Sequence, residues 1–320
     1  MSALLTQIKH ELERFNAKHD SIESIFIGGG TPSTVAPKLY QKIFNFLAPY
    51  LKKNIEITSE ANPNSATYEW LSGMKELGVN RISFGVQSFD EEKLKLLNRA
   101  HTPQMALNAI NNASKVGFKN ISLDLIYATL GDTKELLQND INMAFNLPIN
   151  HLSAYALTIE EGTAFESKPQ MAKEHLDITK WFFKSIKERG FNQYEISNFG
   201  TYNSSHNLGY WLYKDYIGAG AGSVGKLGLK RYYPTPKIND YINDPLDTIR
   251  EEIISKEEKK LEQLFLGFRS CIGVKQEFLN KEEQKQADIL VNEKKLMYQN
   301  DTYFNKDYLL SDEIVLFLSS

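Results

Sequence analysis

Among its 320 residues the chain has one cysteine, Cys271, and that scarcity decides two questions at once. No disulfide can form within the chain, and no site inside these residues can be built from several thiolates. Long apolar runs are missing as well: eighteen consecutive apolar residues occur nowhere, so no transmembrane helix is expected. The N-terminal stretch MSALLTQIKHELERF alternates charge with Leu and Ile at helical spacing, unlike a signal peptide, and a cytoplasmic location is the expectation. Neither sign of charge is in excess. A formal net charge of −3 leaves no electrostatic footprint for nucleic acid or for an anionic membrane. With 42% hydrophobic and 24% charged residues the chain is expected to fold as an ordinary globular protein, and its length suits about two domains.

From Ile22 to about Phe199 a short apolar strand, a polar loop and an amphipathic helix recur, the pattern of an α/β fold with a parallel sheet wrapped by helices. Six strands are predicted: Glu23–Ile27, Ile55–Ser59, Arg81–Val86, Ile121–Ile126, Leu152–Leu157 and Gln193–Ser197. Between them fall helices over Tyr40–Leu51, Ala66–Leu77, Glu91–Leu97, Gln104–Val116, Lys134–Phe145 and His175–Arg189. Gly78, Gly117 and Gly190 stand where helix C-caps need a left-handed residue. Asn64-Ser65, Ser88–Asp90 and Thr102-Pro103 mark helix starts. After Phe199 the texture turns to Gly, Tyr and Asn without a sustained period, the look of a structured functional loop region. From about Asp244, helices over Glu257–Phe268 and Lys281–Glu293 and a hairpin turning near Asn300-Asp301 predict a small α+β C-terminal domain.

In a parallel α/β barrel, residues at strand C-terminal ends face the ligand. Gly28-Gly29-Gly30-Thr31 follows the first strand, either letting backbone N–H groups approach a ligand or simply making a tight turn. Glu60 ends the second strand, where a carboxylate can accept from ribose hydroxyls or an amino group, or stand as an exposed loop acid. Gln87 ends the third. Asp124 lies inside an apolar run, so a ligand must satisfy it, or an ion pair with Arg81 or Arg99 inside the barrel. His206, with Tyr210 and Trp211 behind it, places an imidazole beside an aromatic wall, although a lone histidine is also an ordinary packed loop residue.

Taken in order, IFIGGGTPS, ITSEANP, GVNRISFGVQSFD, LNRAHT, SLDLIYA, LSAYALTIEEGTAF, YEISNFGTYNSSHNLGYW and LEQLFLGFRSCIGV resemble the oxygen-independent coproporphyrinogen III oxidase-like family of radical S-adenosylmethionine proteins, nearest to its heme-chaperone branch. The resemblance implies a partial (β/α)6-type barrel lacking its first strand over residues 1–200, a Gly- and aromatic-rich functional region over 201–243, and a family-like C-terminal α+β domain over 244–320. It implies that Gly29, Gly30 and Thr31 line the amino-acid end of S-adenosylmethionine, that Glu60 addresses its ribose or amino group, and that Gln87, Arg99, Asp124 and Ala156 complete the pocket. His206, Asn207, Tyr210 and Trp211 would face heme or a related tetrapyrrole, with His101 the next histidine to consider as an iron ligand, and a heme-acceptor protein would be the partner.

The chain departs from the family at three points. The Cys-x-x-x-Cys-x-x-Cys loop that holds a 4Fe-4S cluster in the family does not occur here, so this chain is expected to hold no cluster and to be catalytically incompetent as it stands. The first barrel strand is likewise not seen, which would leave an unpaired sheet edge. Tyr127-Ala128-Thr129-Leu130-Gly131-Asp132-Thr133 replaces a family turn that carries Gly and Pro, so that loop is expected to be altered. Heme delivery is the leading expectation. Oxidative decarboxylation of coproporphyrinogen and a non-catalytic tetrapyrrole-binding module are the alternatives.

Overall fold

The computed structural model describes residues 1–159, 162, 165–173 and 175–319. Part of the LSAYALTIEEGTAF stretch, at Glu160, Glu161, Thr163 and Ala164, lies outside the described residues. The chain divides into two compact units, one formed by Ser24–Gln41 and Ile55–Ser204, the other by Met1–Glu23, Lys42–Asn54 and Ser205–Ser320.

A sheet with most of its residues in the first of these units has the strands β1 (Ile22–Ile27), β2 (Leu51–Ala61), β3 (Arg81–Gln87), β4 (Asn120–Tyr127), β5 (His151–Ala156), β6 (Asn192–Gln193) and β7 (Asn198–Gly200). They lie in the order β1-β2-β3-β4-β5-β7-β6, with β2 to β5 pairing in parallel. Parallel strands need crossovers, and helices Tyr68–Glu76, Pro103–Val116 and Lys134–Phe145 supply them. Side-chain oxygens of Thr67, Asp90, Thr102 and Thr133 accept from amides of the first helical turns. Gly78, Gly117 and Gly190 follow helix ends at φ of 100°, 97° and 93°, values that only glycine adopts freely.

Two expected elements differ from the prediction. The helix expected over Tyr40–Leu51 stops at Leu47. Pro49 lacks an N–H, so Ala48–Tyr50 tightens into a 3₁₀ turn and Leu51 already begins β2. A sixth parallel strand over Gln193–Ser197 does not form either. The chain pairs only at Asn192–Gln193, reverses, and returns antiparallel as β7 against β5. Local hydrogen bonds favour the reversal: Ser197 N–H donates to Glu195 Oε2 at 3.0 Å, and Tyr194 N–H to the Asn198 carbonyl at 3.1 Å.

The other unit contains a three-stranded antiparallel sheet (residues 225–227, 230–234 and 248–253) and a C-terminal cluster of helices Lys256–Phe268, Lys281–Asn292 and Ser311–Leu318. Ser255 with Glu258 and Asn280 with Glu283 form reciprocal capping boxes at two of these helices. Strands Leu296–Gln299 and Thr302–Asn305 join through Asn300 and Asp301, both at positive φ, as a type I′ hairpin requires. Phe268, Leu290, Tyr303 and Val315 make the core beneath them. Residues 201–243 include a short helix, Ser205–Trp211.

Candidate functional site

The two faces of the parallel sheet have opposite chemistry. Ile57, Ile82, Phe84, Val86, Leu123, Leu125, Leu152 and Ala154 are buried and alternate along β2 to β5 on one face. The register then fixes the other face. Glu60 pairs beside Ser83, Ser83 beside Ser122, Asp124 beside Ser153, and Ser153 beside Asn198. A sheet face this polar must satisfy its groups among themselves or through a ligand.

Toward the strand starts the groups satisfy one another. Arg81 donates to Thr58 Oγ1 and to His151 Nδ1, each at 3.4 Å, and Ser122 Oγ lies 2.7 Å from the same ring nitrogen. His151 Nδ1 is therefore an acceptor, and Nε2 carries the hydrogen toward Tyr194 Oη at 2.8 Å. Burial, then Arg81, hold the imidazole pKa well below its ordinary value, which agrees with that neutral form. Ser204 donates to Glu56 at 2.8 Å, and Tyr202 bonds the same carboxylate.

Toward the strand ends stand Glu60, Gln87 and Asp124. Gly28 precedes the turn: a Cβ there would lie 2.6 Å from the Phe26 ring and 3.1 Å from the Glu60 carboxylate, so glycine is what lets Glu60 approach. Gly29 and Gly30 have φ of 77° and 59°, and a Cβ on either would meet no atom within 4 Å. Gly29 N–H donates to Glu60 Oε2 at 3.2 Å, and burial raises the Glu60 pKa against that bond. Thr31 stands at the N-cap position of the 3₁₀ turn that follows, without a side-chain capping bond. Gln87 has φ of 69° after a bulge in β3, and its amide nitrogen lies 3.1 Å from where a Gly85 Cβ would stand. Gly85 thus leaves room for Gln87 to fold back over the polar face.

Asp124 is the centre of this layer. Ser83 Oγ donates to it at 3.4 Å, and burial pushes its carboxyl up to about 6, with Ser153 opposing and Glu60 adding to the rise. Arg81 and Arg99 make no ion pair with it within 4 Å, so an internal salt bridge does not account for its place in the strand. Arg99 is exposed and senses Asp124 only through space. Ala156 closes β5. Asn62 escapes a reading of the sequence, where Asn-Pro signals only a turn. Its amide N–H donates to Ser33 Oγ at 2.9 Å, while its side-chain oxygen is buried without a partner, two residues beyond Glu60. The polar residues Glu56, Thr58 and Glu60, or Ser122 and Asp124, recur at every second position, and that period is the signal that reveals the second face.

The residues expected to face a tetrapyrrole belong to the other unit. His206, Asn207, Tyr210 and Trp211 share the helix Ser205–Trp211, one turn apart. The His206 and Tyr210 rings meet edge to face at 5.0 Å, and Tyr210 continues to Tyr216 at 4.8 Å. His101 is only 3% exposed, with Nε2 on the Val86 carbonyl at 2.9 Å. A 4Fe-4S cluster does not fit the residues present. Cys271 is a lone exposed thiol, and among the described residues no group of three or more His, Cys, Asp or Glu is placed to hold a metal. No reaction step is assigned through such a cluster. Among the described residues no helix is long and apolar enough to cross a membrane.

The family model for the radical SAM superfamily matches residues 2–144. The heme chaperone HemW of Lactococcus lactis subsp. lactis (strain IL1403) is 32% identical over 287 residues, covering 86% of this chain and 75% of the relative. The heme chaperone HemW of Bacillus subtilis (strain 168) is 34% identical over 273 residues, covering 79% and 71%. Among solved structures, the radical SAM enzyme coproporphyrinogen III oxidase (HemN) from Escherichia coli superposes with a TM-score of 0.80 at 17% identity, covering 100% of this chain and 82% of that one, a likeness of fold. Sequence identity of this extent, joined to the shared barrel fold, makes the chain a member of the HemW family of radical SAM proteins.

Proposed function

We propose that the strand-end layer binds S-adenosylmethionine and that the His206 segment binds heme, so that the chain acts as a HemW-type heme chaperone in the cytoplasm. The observation that carries the first half is the convergence of Glu60, Gln87 and Asp124 on one layer whose geometry is made by Gly28 and Gly85. S-adenosylmethionine supplies a sulfonium, an ammonium, a carboxylate and ribose hydroxyls. The turn at Gly29 and Gly30, with the Gly30 amide and Thr31, suits the carboxylate end, and Arg99 suits the same charge. Glu60 and Asp124 accept from ammonium or hydroxyl groups, and Gln87 both donates and accepts. Ala156 offers backbone groups at the end of β5.

For heme, His206 is half-buried at the head of an aromatic ladder, whereas His101 is enclosed. A neutral imidazole ligates iron, so His206 is the residue assigned that role. A heme-acceptor protein would then receive the cargo. Two titrations of the full chain test the proposal. S-adenosylmethionine binding should be lost in Asp124→Ala, and the hemin Soret shift should be lost in His206→Ala but kept in His101→Ala, with circular dichroism showing each variant folded. Wild-type spectra and affinity in His206→Ala would remove the ligand assignment.

A further inference from the structure

Two of the loops that leave the strand ends are joined by buried charges. Lys93, in the helix Glu91–Leu96, is only 4% exposed, and its ammonium lies 2.7 Å from Asp132 Oδ1 and 3.9 Å from Asp140 Oδ2. Asp140 accepts from the Ser88 hydroxyl at 2.9 Å and from the Phe89 amide at 2.6 Å, which fixes the loop after β3. Asp132 accepts from the Thr129 amide at 2.9 Å and its hydroxyl at 2.8 Å, which fixes the loop after β4. Each loop begins with a non-glycine residue in the left-handed region, Gln87 at φ 69° and Ala128 at φ 59°. A residue with a Cβ holds that conformation only where its surroundings impose it. In the turn where the family carries Gly and Pro, Ala128 is thus a residue with a Cβ in the left-handed region.

We propose that Lys93 is a positioning residue for the S-adenosylmethionine site: one ammonium, acting through Asp140 and Asp132, holds both loops in the backbone conformations that aim Gln87 and the Ala128 peptide at the ligand. The identity of the ligand rests on the reading above. The coupling of the two loops does not. Stability alone gives a poor reason for burying these charges, because well-packed apolar residues commonly serve as well or better in their place. What apolar residues would not supply is a single buried charge within 4 Å of two carboxylates, each already committed to a different loop.

Amide hydrogen exchange on the full chain, read with S-adenosylmethionine binding, tests the proposal. In Lys93→Met, exchange at Phe89 and Asp90 and at Thr129 and Asp132 should rise at least tenfold while amides inside β3 and β4 keep their protection. Affinity for S-adenosylmethionine should fall at least tenfold, and Lys93→Arg should restore both. Exchange that rises evenly through the unit, or in one loop alone, overturns the proposal, as does undisturbed protection of both. Should Lys93→Met fail to fold, Asp132→Asn and Asp140→Asn decide, the first expected to free only the loop at Thr129 and the second only that at Phe89. Equal loosening of both loops by either variant refutes the division of roles. If the wild type takes up no S-adenosylmethionine, the ligand assignment fails, and the exchange pattern still judges the clamp.

Discussion

Replacing Asp124 by asparagine should stabilise the ligand-free protein, increasingly as pH rises above 3.8. Burial is the main reason that the Asp124 carboxyl rises from 3.8 to about 6; the Arg81 charge and bonds from Ser153 and Ser83 offset it only in part, and among the described residues no ion pair within 4 Å does so. Each tenfold change in proton affinity corresponds to about 1.36 kcal/mol, so ionising this group costs the folded state about 3 kcal/mol. The direction follows from the raised value. Stability contributed by the protonated carboxyl is complete below pH 3.8 and is lost as pH rises through about 6. Asp124→Asn removes the ionisation and keeps the shape. Urea denaturation at pH 4, 6 and 8 should therefore show the variant near wild type at pH 4 and up to about 3 kcal/mol more stable at pH 8, roughly 5–10 °C in Tm. A variant less stable than wild type at pH 8 would refute the reasoning and make Asp124 a structural partner of Arg81.

Other outcomes follow from the same geometry. Gly85→Ala sets a methyl group 3.1 Å from the Gln87 amide nitrogen, and displacing that amide should weaken S-adenosylmethionine binding about tenfold, the loss of one hydrogen bond to a charged group; calorimetry reads it, and unchanged affinity would take Gln87 out of the site. Glu195, 1% exposed and with Oε1 unpartnered, has its carboxyl pushed by burial from 4.5 up to about 7. Its contribution to stability is complete below pH 4.5 and lost as pH rises through about 7, so Glu195→Gln should be stabilising by about 3 kcal/mol at pH 8 and neutral at pH 4, again by denaturant titration. Gly28→Ala should push Glu60 from its place and weaken S-adenosylmethionine binding with little change in far-ultraviolet circular dichroism. Intact affinity there would mean that Glu60 does not touch the ligand.

Much of the architecture was legible because local signals agreed with the global fold. Gly117 after a periodic run, Thr102 before Pro103, and Asn300-Asp301 between alternating strands each specify backbone geometry by their own chemistry. The misread elements are those decided by competition. Gln193–Ser197 has strand composition, but the Glu195 carboxylate takes the Ser197 amide while the Ser197 carbonyl accepts from Ala154 of β5, so the segment turns instead of running on as a parallel strand. Glu60, Gln87 and Asp124 could be named from strand-end position. That Gly28 makes space for Glu60 depends on an approach between strands, and that Gly85 makes space for Gln87 depends on the bulge that folds Gln87 back, neither of which the residue spacing encodes. Lys93 was hidden for a related reason: one lysine in a charged helix reads as solvent-facing, and only the fold brings Asp132 and Asp140 to it.

The central claim is that the polar strand-end layer holds S-adenosylmethionine through Asp124, and calorimetry of the full chain with S-adenosylmethionine between pH 5 and pH 8 tests it most directly. Wild-type affinity should be greatest above about pH 6 and fall roughly tenfold for each pH unit below it, as the carboxylate that must accept takes up a proton. Asp124→Asn should bind at least tenfold more weakly at pH 8 and show a flatter dependence on pH. Saturable wild-type binding that asparagine leaves unchanged at every pH would contradict the account.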